Sequence, residues 1–208
     1  AERGLAEGEG APMIDFGLPL FSFNLAVIDA PWPWKAYSEK GLGKSPEAQY
    51  GTMSMADIGA LRVGDLLAPS GVLVAWCTWP LIDQQLGIIR KWGVEPVTGG
   101  VWVKRTRNEK LRWGTGYVLR SVCEPFIVAT LRGARVAGSS AANLIETIED
   151  AAVDGLAREH SRKPEEFYQM LEKLVPEGPR ADIFARRRRA GWSCFGNELE
   201  KFEAEAPE

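Results

Sequence analysis

Asp29-Ala30-Pro31-Trp32 is the segment whose residue types suit chemistry best. A carboxylate closes an apolar run, a rigid turn follows, and an indole comes next. Such a group suits a planar heterocycle that carries an exocyclic amine. Asp29 can accept one amino hydrogen, and a turn carbonyl, most simply that of Ala30, can accept the other. Trp32 can stack on the ring face. The amine is a poor nucleophile because its lone pair is delocalised into the ring. Two acceptors aimed at its hydrogens favour the pyramidal geometry that frees the pair, and preorganised groups around developing charge are usually the large contribution to catalysis. Taken alone, the string also fits a strand-ending Asp that caps its own turn.

Other chemistries fail on counts and spacing. A single histidine, His160, rules out a His-pair metal site such as H-E-x-x-H, and it reads as a surface polar residue. Cys77, Cys123 and Cys194 lack the spacing of a zinc ribbon or a disulfide framework, so no metal is expected. Gly43-Lys44-Ser45 resembles the end of a phosphate loop, but Ser38 stands where the first glycine belongs. Gly114-Thr115-Gly116 lacks the third glycine of a dinucleotide fingerprint, and no serine sits in G-x-S-x-G.

The elements that must hold Asp29 can be read from periodicity and punctuation. Asn24–Asp29 reads as a buried strand that runs into a long loop over 31–52, rich in Pro, Gly and aromatics. Ser54–Leu67 reads as a helix, with Ser54 as N-cap and Asp57 at the third position. Gly71–Thr78 is a second buried strand, and Leu81–Trp92 a helix that stops at Gly93. Val97–Lys104 and Ser121–Leu131 read as strands. Lys163–Val175 is a helix with Pro164 in its first turn and Glu165 and Glu166 at the positive end of the dipole; Phe167, Leu171 and Leu174 form its apolar face. Arg180–Ala185 is a strand, and the remainder to Glu198 is expected to be a short hairpin. Alternating strands and helices imply an α/β domain with a mainly parallel sheet. Ligands of such sheets bind at the carboxyl ends of strands, where Asp29 and the arginine run after Ala185 lie. The domain is expected over 13–199, between a disordered leader or cloning remnant at 1–12 and an acidic tail at 200–208.

No apolar run reaches membrane-spanning length and no secretory pattern opens the chain, so a cytoplasmic protein without membrane contact is expected. The net charge of -3 hides an asymmetry. Without residues 1–10 and 198–208 the balance is +3, and residues 104–135 alone carry eight Lys or Arg against Glu109 and Glu124. This stretch reads either as a solvated loop or as a surface that attracts a polyanion. Trp102, Trp113 and Tyr117 interleave with the charges and are candidates for stacking on bases, although aromatics so placed more often belong to the core.

The chain resembles the N6-adenine methyltransferase family that includes the catalytic subunit of the eukaryotic mRNA adenosine methyltransferase, together with short bacterial and phage members. The likeness rests on co-linear strings from about residue 24 to 199: Asp29-Ala30-Pro31-Trp32 for D-P-P-W, Tyr50-Gly51-Thr52-Met53-Ser54, Val72 to Trp76, Val101-Trp102-Val103-Lys104, Gly116 to Glu124, Ser161 to Phe167, Asp182 to Arg186, and Gly191 to Glu198. The resemblance implies a Rossmann-like fold, permuted so that the acceptor motif precedes the cofactor-binding strand. It also implies methyl transfer from S-adenosylmethionine to adenine N6. By the same resemblance Asp29, Ala30 and Pro31 hold the amine, Trp32 packs on the base, and Tyr50 shapes the substrate side; Trp102 and Lys104, from the basic region, are further candidates for binding substrate. Asp182, Arg186, Asn197 and Glu198, with Asp29, bind the cofactor. Arg188 and Arg189 fall near positions that touch it, and Ile14 and Asp15 near its adenine.

Two positions depart from the pattern. Ala30 replaces the first proline, which loosens the turn by roughly 0.4–1 kcal/mol while keeping the carbonyl. Cys123 replaces a lysine that helps hold the cofactor carboxylate. Nucleic acid containing adenine is the expected partner, DNA before RNA. A catalytically inactive nucleic-acid-binding subunit is the alternative. A monomer or homodimer is expected, with room for a partner subunit.

Overall fold

The computed structural model describes residues 14–33, 51–114, 116, 118–131, 141–148 and 163–199. Aliphatic runs build the centre of its sheet. β1 (Phe23–Ile28) is buried at every residue but Asn24, and β2 (Leu67–Trp76) is buried from Gly71 onward. Strands buried on both faces carry unbroken Val, Ile and Leu rather than alternation, which is why these two were legible. β3 (Glu95–Arg105), β4 (Cys123–Thr130), β5 (Leu144–Ile148), β6 (Arg180–Ile183) and β7 (Trp192–Phe195) complete one sheet in the order β5-β3-β4-β2-β1-β6-β7. β1 runs parallel to β2 and β6, β6 to β7, and β3 to β5; β4 is antiparallel to β2 and β3.

Helices cover both faces. α1 (Met55–Ala60) and α2 (Ile82–Lys91) close one face through Ile58, Ile88 and Ile89, while α3 (Glu165–Leu174) closes the other through Phe167, Tyr168 and Leu171. The caps are those expected. Ser54 Oγ accepts the Asp57 N–H at 3.1 Å and donates to Asp57 Oδ2 at 2.7 Å. Gly93 follows α2 at φ +85. The α/β, mainly parallel architecture agrees with the sequence pattern, and no helix among the described residues is long and apolar enough to cross a membrane.

Three elements differ from expectation. The helix expected over 54–67 breaks after Ala60 and resumes as a 3-10 turn at Val63–Leu66. The chain turns extended at Leu61, and the resumed turn passes close to α2: a Cβ at Gly64 would stand 1.8 Å from the Trp92 carbonyl oxygen, so only glycine fits there. β5 was not expected. The hairpin after β6 is absent; β7 returns parallel to it, with Phe184 at φ +62 and Gly191 at φ +78 turning the corners. The parallel return needs no crossover helix because both strands are only four residues long.

Candidate active site

The carboxyl ends of β1, β2, β6 and β7 and the amino end of β4 share one edge of the sheet, and the chemistry-bearing residues gather there. Asp29 follows β1 directly, and its N–H donates to the Ile183 carbonyl at 3.2 Å, which pins it beside the end of β6. The turn after it is tight. The Trp32 N–H donates to the Ala30 carbonyl at 2.8 Å across Pro31, and the Pro31 carbonyl accepts the Met53 N–H at 2.9 Å. One lone pair of the Ala30 oxygen is thus used within the turn, and a carbonyl has two.

Trp32 differs from expectation. It is 7% exposed, its indole N–H donates to the Trp76 carbonyl at 2.9 Å, and its ring stacks on Trp92. It anchors the turn to the core rather than offering a free face to a base. The same holds for Trp102, 2% exposed, whose indole donates to Thr147 Oγ1 and whose ring meets Trp76 edge-on. Its parity on β3 turns it to the face that α3 covers, whereas an exposed stacking ring is found at Trp113, 58% exposed, with the Arg120 guanidinium 5.5 Å from the ring centroid.

A run of alternating charges lines the edge. Lys104 Nζ lies 2.7 Å from Glu124 Oε1, Glu124 Oε2 lies 2.9 Å from Lys163 Nζ, and Lys163 Nζ lies 3.3 Å from Asp29 Oδ2. Trp102 and Trp76 lie beneath the two ammoniums, with ring centroids 4.2 and 4.6 Å away. Lys163 has only 10% of its side chain exposed. Burial works against its charge, but Asp29 and Glu124 outweigh it and raise the ammonium above its usual range. Burial likewise works against a charged Glu124, yet Lys163 and Lys104 hold it down at about 2. The Cys77 thiol beside this edge is pushed up to about 12, by burial first and the Asp29 carboxylate second, so it is no nucleophile at neutral pH.

Lys163 and Glu124 join Asp29 at this edge, and sequence reasoning did not single them out for a role. One signal existed. A cation beside a helix N-terminus opposes the dipole, so it calls for a carboxylate partner from elsewhere in the fold. Lys163 also bears on the absent lysine at Cys123, because it brings an ammonium to the same edge from just before α3.

The residues expected on the cofactor side lie in two places. Arg186 and Glu198 meet at 3.4 Å, and Asn197 stands exposed next to Glu198. Gly196 makes this clasp possible: a Cβ there would lie 2.1 Å from the Ala185 oxygen, and the Ala185 N–H donates to the Phe195 carbonyl. Phe16 packs edge-on against Phe195, bringing the 14–18 segment beside the end of β7; Asp15 is exposed and accepts the Gly17 N–H. Asp182 is not at the open edge. It is 4% exposed beneath α3, bonded to the Tyr168 hydroxyl, because its parity matches Val27 rather than Ile28. Arg189 likewise turns inward, over the Tyr168 ring. Tyr50, Tyr117, His160, Arg132, Arg135 and most of the 31–52 loop lie outside the described residues. Among the described residues no cluster of His, Cys, Asp and Glu could hold a metal ion.

A family model described as MT-A70 matches residues 23–198. An N6-methyladenosine RNA methyltransferase of Cryphonectria parasitica is 27% identical over 186 residues, covering 87% of this chain and 53% of the relative. An N(6)-adenosine-methyltransferase MT-A70-like protein of Arabidopsis thaliana is 28% identical over 204 residues, covering 96% of this chain and 27% of the relative. A human N(6)-adenine-specific methyltransferase is 25% identical over 190 residues, covering 88% of this chain and 38% of the relative. The chain therefore spans about half the length of the first of these relatives and about a quarter of the second.

Proposed function

The chain belongs to the MT-A70 family, and on that premise we propose that it transfers a methyl group from S-adenosylmethionine to the N6 amine of adenine in nucleic acid, with DNA as the acceptor to test first. The observation that carries this reading is the placement of Asp29. Its carboxylate ends β1, the Ala30 carbonyl stands beside it, and its backbone is bonded to the strand that leads to Arg186.

The residues of the edge fit the cofactor's chemistry. S-adenosylmethionine presents ribose hydroxyls, an ammonium, a carboxylate and a sulfonium. Glu198 and Asn197 suit the hydroxyls, with Arg186 setting the Glu198 carboxylate. Lys163 suits the carboxylate and Asp29 the ammonium. The cofactor supplies an electrophilic methyl group when bound. The chain's own residues do the rest. Asp29 Oδ and the free lone pair of the Ala30 oxygen accept the two amino hydrogens and turn the lone pair of N6 outward. Lys163 fixes the rotation of the Asp29 carboxylate. Trp32, tied to Trp76, keeps the turn from opening. For adenine in a duplex the base must first leave the stack. The exposed Trp113 with Arg120, within the basic stretch, supports a nucleic-acid acceptor.

The acceptor pair reads the amine and not the sugar, and the relatives' names speak of RNA in one case and of adenine in another. Labelled methyl transfer to single-stranded DNA, duplex DNA and RNA, with wild type and Asp29→Ala side by side, tests the reading. Transfer by the wild type alone is expected, with DNA the better acceptor. Equal transfer by both proteins would remove Asp29 from the chemistry, and a preference for RNA would overturn the choice of DNA.

A further inference from the structure

A second polar cluster lies behind the edge, with Asp182, Tyr168 and the side chain of Arg189 buried and Glu165 and Arg187 reaching the surface. Asp182 Oδ2 accepts the Tyr168 hydroxyl at 2.9 Å. The Arg189 guanidinium lies 3.5 Å from the centroid of the Tyr168 ring and pairs with Glu165, as does Arg187. The Arg189 Nε is buried and has no hydrogen-bond partner among the described residues. Asp182 pairs in register with Val27 and Cys194, and both of those belong to the core layer that holds Phe167 and Leu171. An apolar residue would ordinarily serve as well or better at such a place. A carboxylate there calls for a role.

Both ends of the cluster reach the site. Glu165 opens α3, two residues after Lys163, whose ammonium holds Asp29 and Glu124. Asp182 precedes Ile183, whose carbonyl accepts the Asp29 N–H. Arg187 and Arg189 belong to the return that starts at Arg186. We propose that Tyr168, Asp182 and Arg189 are positioning residues that hold the amino end of α3, and with it Lys163, against Asp29, with the Asp182 carboxylate as the group that the Tyr168 hydroxyl and the Arg189 guanidinium answer. The inference rests on the reading above in taking Asp29 as the amine's acceptor.

Asp182 is placed to change charge in the working range. Burial pushes its carboxyl up to about 7; Tyr168 opposes this from α3, Arg189 and Arg187 oppose it from the return, and Asp29 adds to it from the end of β1. Cys194 faces it from β7, with a thiol that burial also pushes up. Protonation of Asp182 removes the charge that Tyr168 and Arg189 answer, and the amino end of α3 loses that brace.

Carbon NMR of the Asp182 carboxyl and the Lys163 ε-methylene in the full chain tests this without relying on activity. The Lys163 signal is expected to move with the Asp182 titration and to share its midpoint. Tyr168→Phe removes the donor, so both midpoints should rise together; a steady Lys163 signal while Asp182 titrates would overturn the proposal. Asp182→Asn is the second variant, and an unchanged Lys163 inflection in it would overturn the proposal equally. In methyl transfer, kcat should rise with pH through the same midpoint. Tyr168→Phe should lose about tenfold in kcat at neutral pH and recover most of it at higher pH, with KM for an oligonucleotide unchanged. Arg189→Lys should keep more of the rate than Arg189→Met. A loss of equal size at every pH marks a merely structural role and counts against the inference. A wild type that transfers no methyl group while the NMR coupling persists sinks the methyltransferase reading and leaves the coupling intact.

Discussion

Glu124 and Asp182 are carboxylates of one sheet, and their surroundings drive them in opposite directions. Glu124, at the open edge, is held down at about 2 because Lys163 and Lys104 together overcome its burial. Asp182, beneath α3, rises to about 7 because burial outweighs one phenol and the nearby arginines. Depth alone does not set the sign; the number and closeness of cationic partners do. The edge keeps a fixed alternation of charge that suits a zwitterionic or anionic ligand. The pocket behind it keeps a group one proton from neutrality.

The most severe way to break this contrast is to remove the ammonium that both Asp29 and Glu124 share. Lys163→Met leaves two carboxylates facing each other, and methyl transfer is expected to fall by about 100-fold or more, read as the initial rate of label incorporation. A variant that keeps its rate would show that the edge acts without its central cation. Gly196→Ala tests the clasp at the far end of the same edge. The added Cβ meets the Ala185 oxygen, so a loss of about 1–3 kcal/mol in thermal unfolding is expected, together with weaker S-adenosylmethionine binding by calorimetry.

Two milder variants sharpen the comparison through pH. Glu124 has its folded value below the ordinary 4.5, so its contribution to stability is present above 4.5 and is lost as pH falls from 4.5 toward 2. Glu124→Gln should erase that acid limb in denaturant titrations. Asp182 has its folded value above the ordinary 3.8, so the native state binds the proton more tightly, and ionisation lowers stability as pH rises from 3.8 toward 7. Asp182→Asn should flatten that window. A wild type whose stability rises across it would reverse the assignment of the buried pair.

Much of the scaffold was legible because burial on both faces leaves unbroken apolar runs. β1 and β2 stood out for that reason, α3 by the spacing of Phe167, Leu171 and Leu174 on one face, and Ser54 and Gly93 marked helix ends by their own chemistry. β5 escaped because it is a five-residue edge strand with Glu146 and Thr147 in the middle. The parallel course of β7 escaped because nothing local distinguishes it from a hairpin; the direction is set by pairing with β6. At the site, Asp29 and its turn were readable as a string. The inward turn of Trp102 and Asp182 was not, since it depends on which face each strand position meets, and that of Trp32 was not, since it depends on Trp76 and Trp92 from other elements. Lys163 was readable only as a helix-start residue until the fold set Asp29 and Glu124 against it.

The direction of β7 has a practical consequence. Because it runs alongside β6 instead of doubling back, the backbone after Phe195 leaves the sheet at the Asp29 rim, through Asn197 and Glu198. A fluorophore attached just past Glu198 would sit at the mouth of the site and report occupancy as a change in emission. A bulky fusion placed there would instead crowd the entrance.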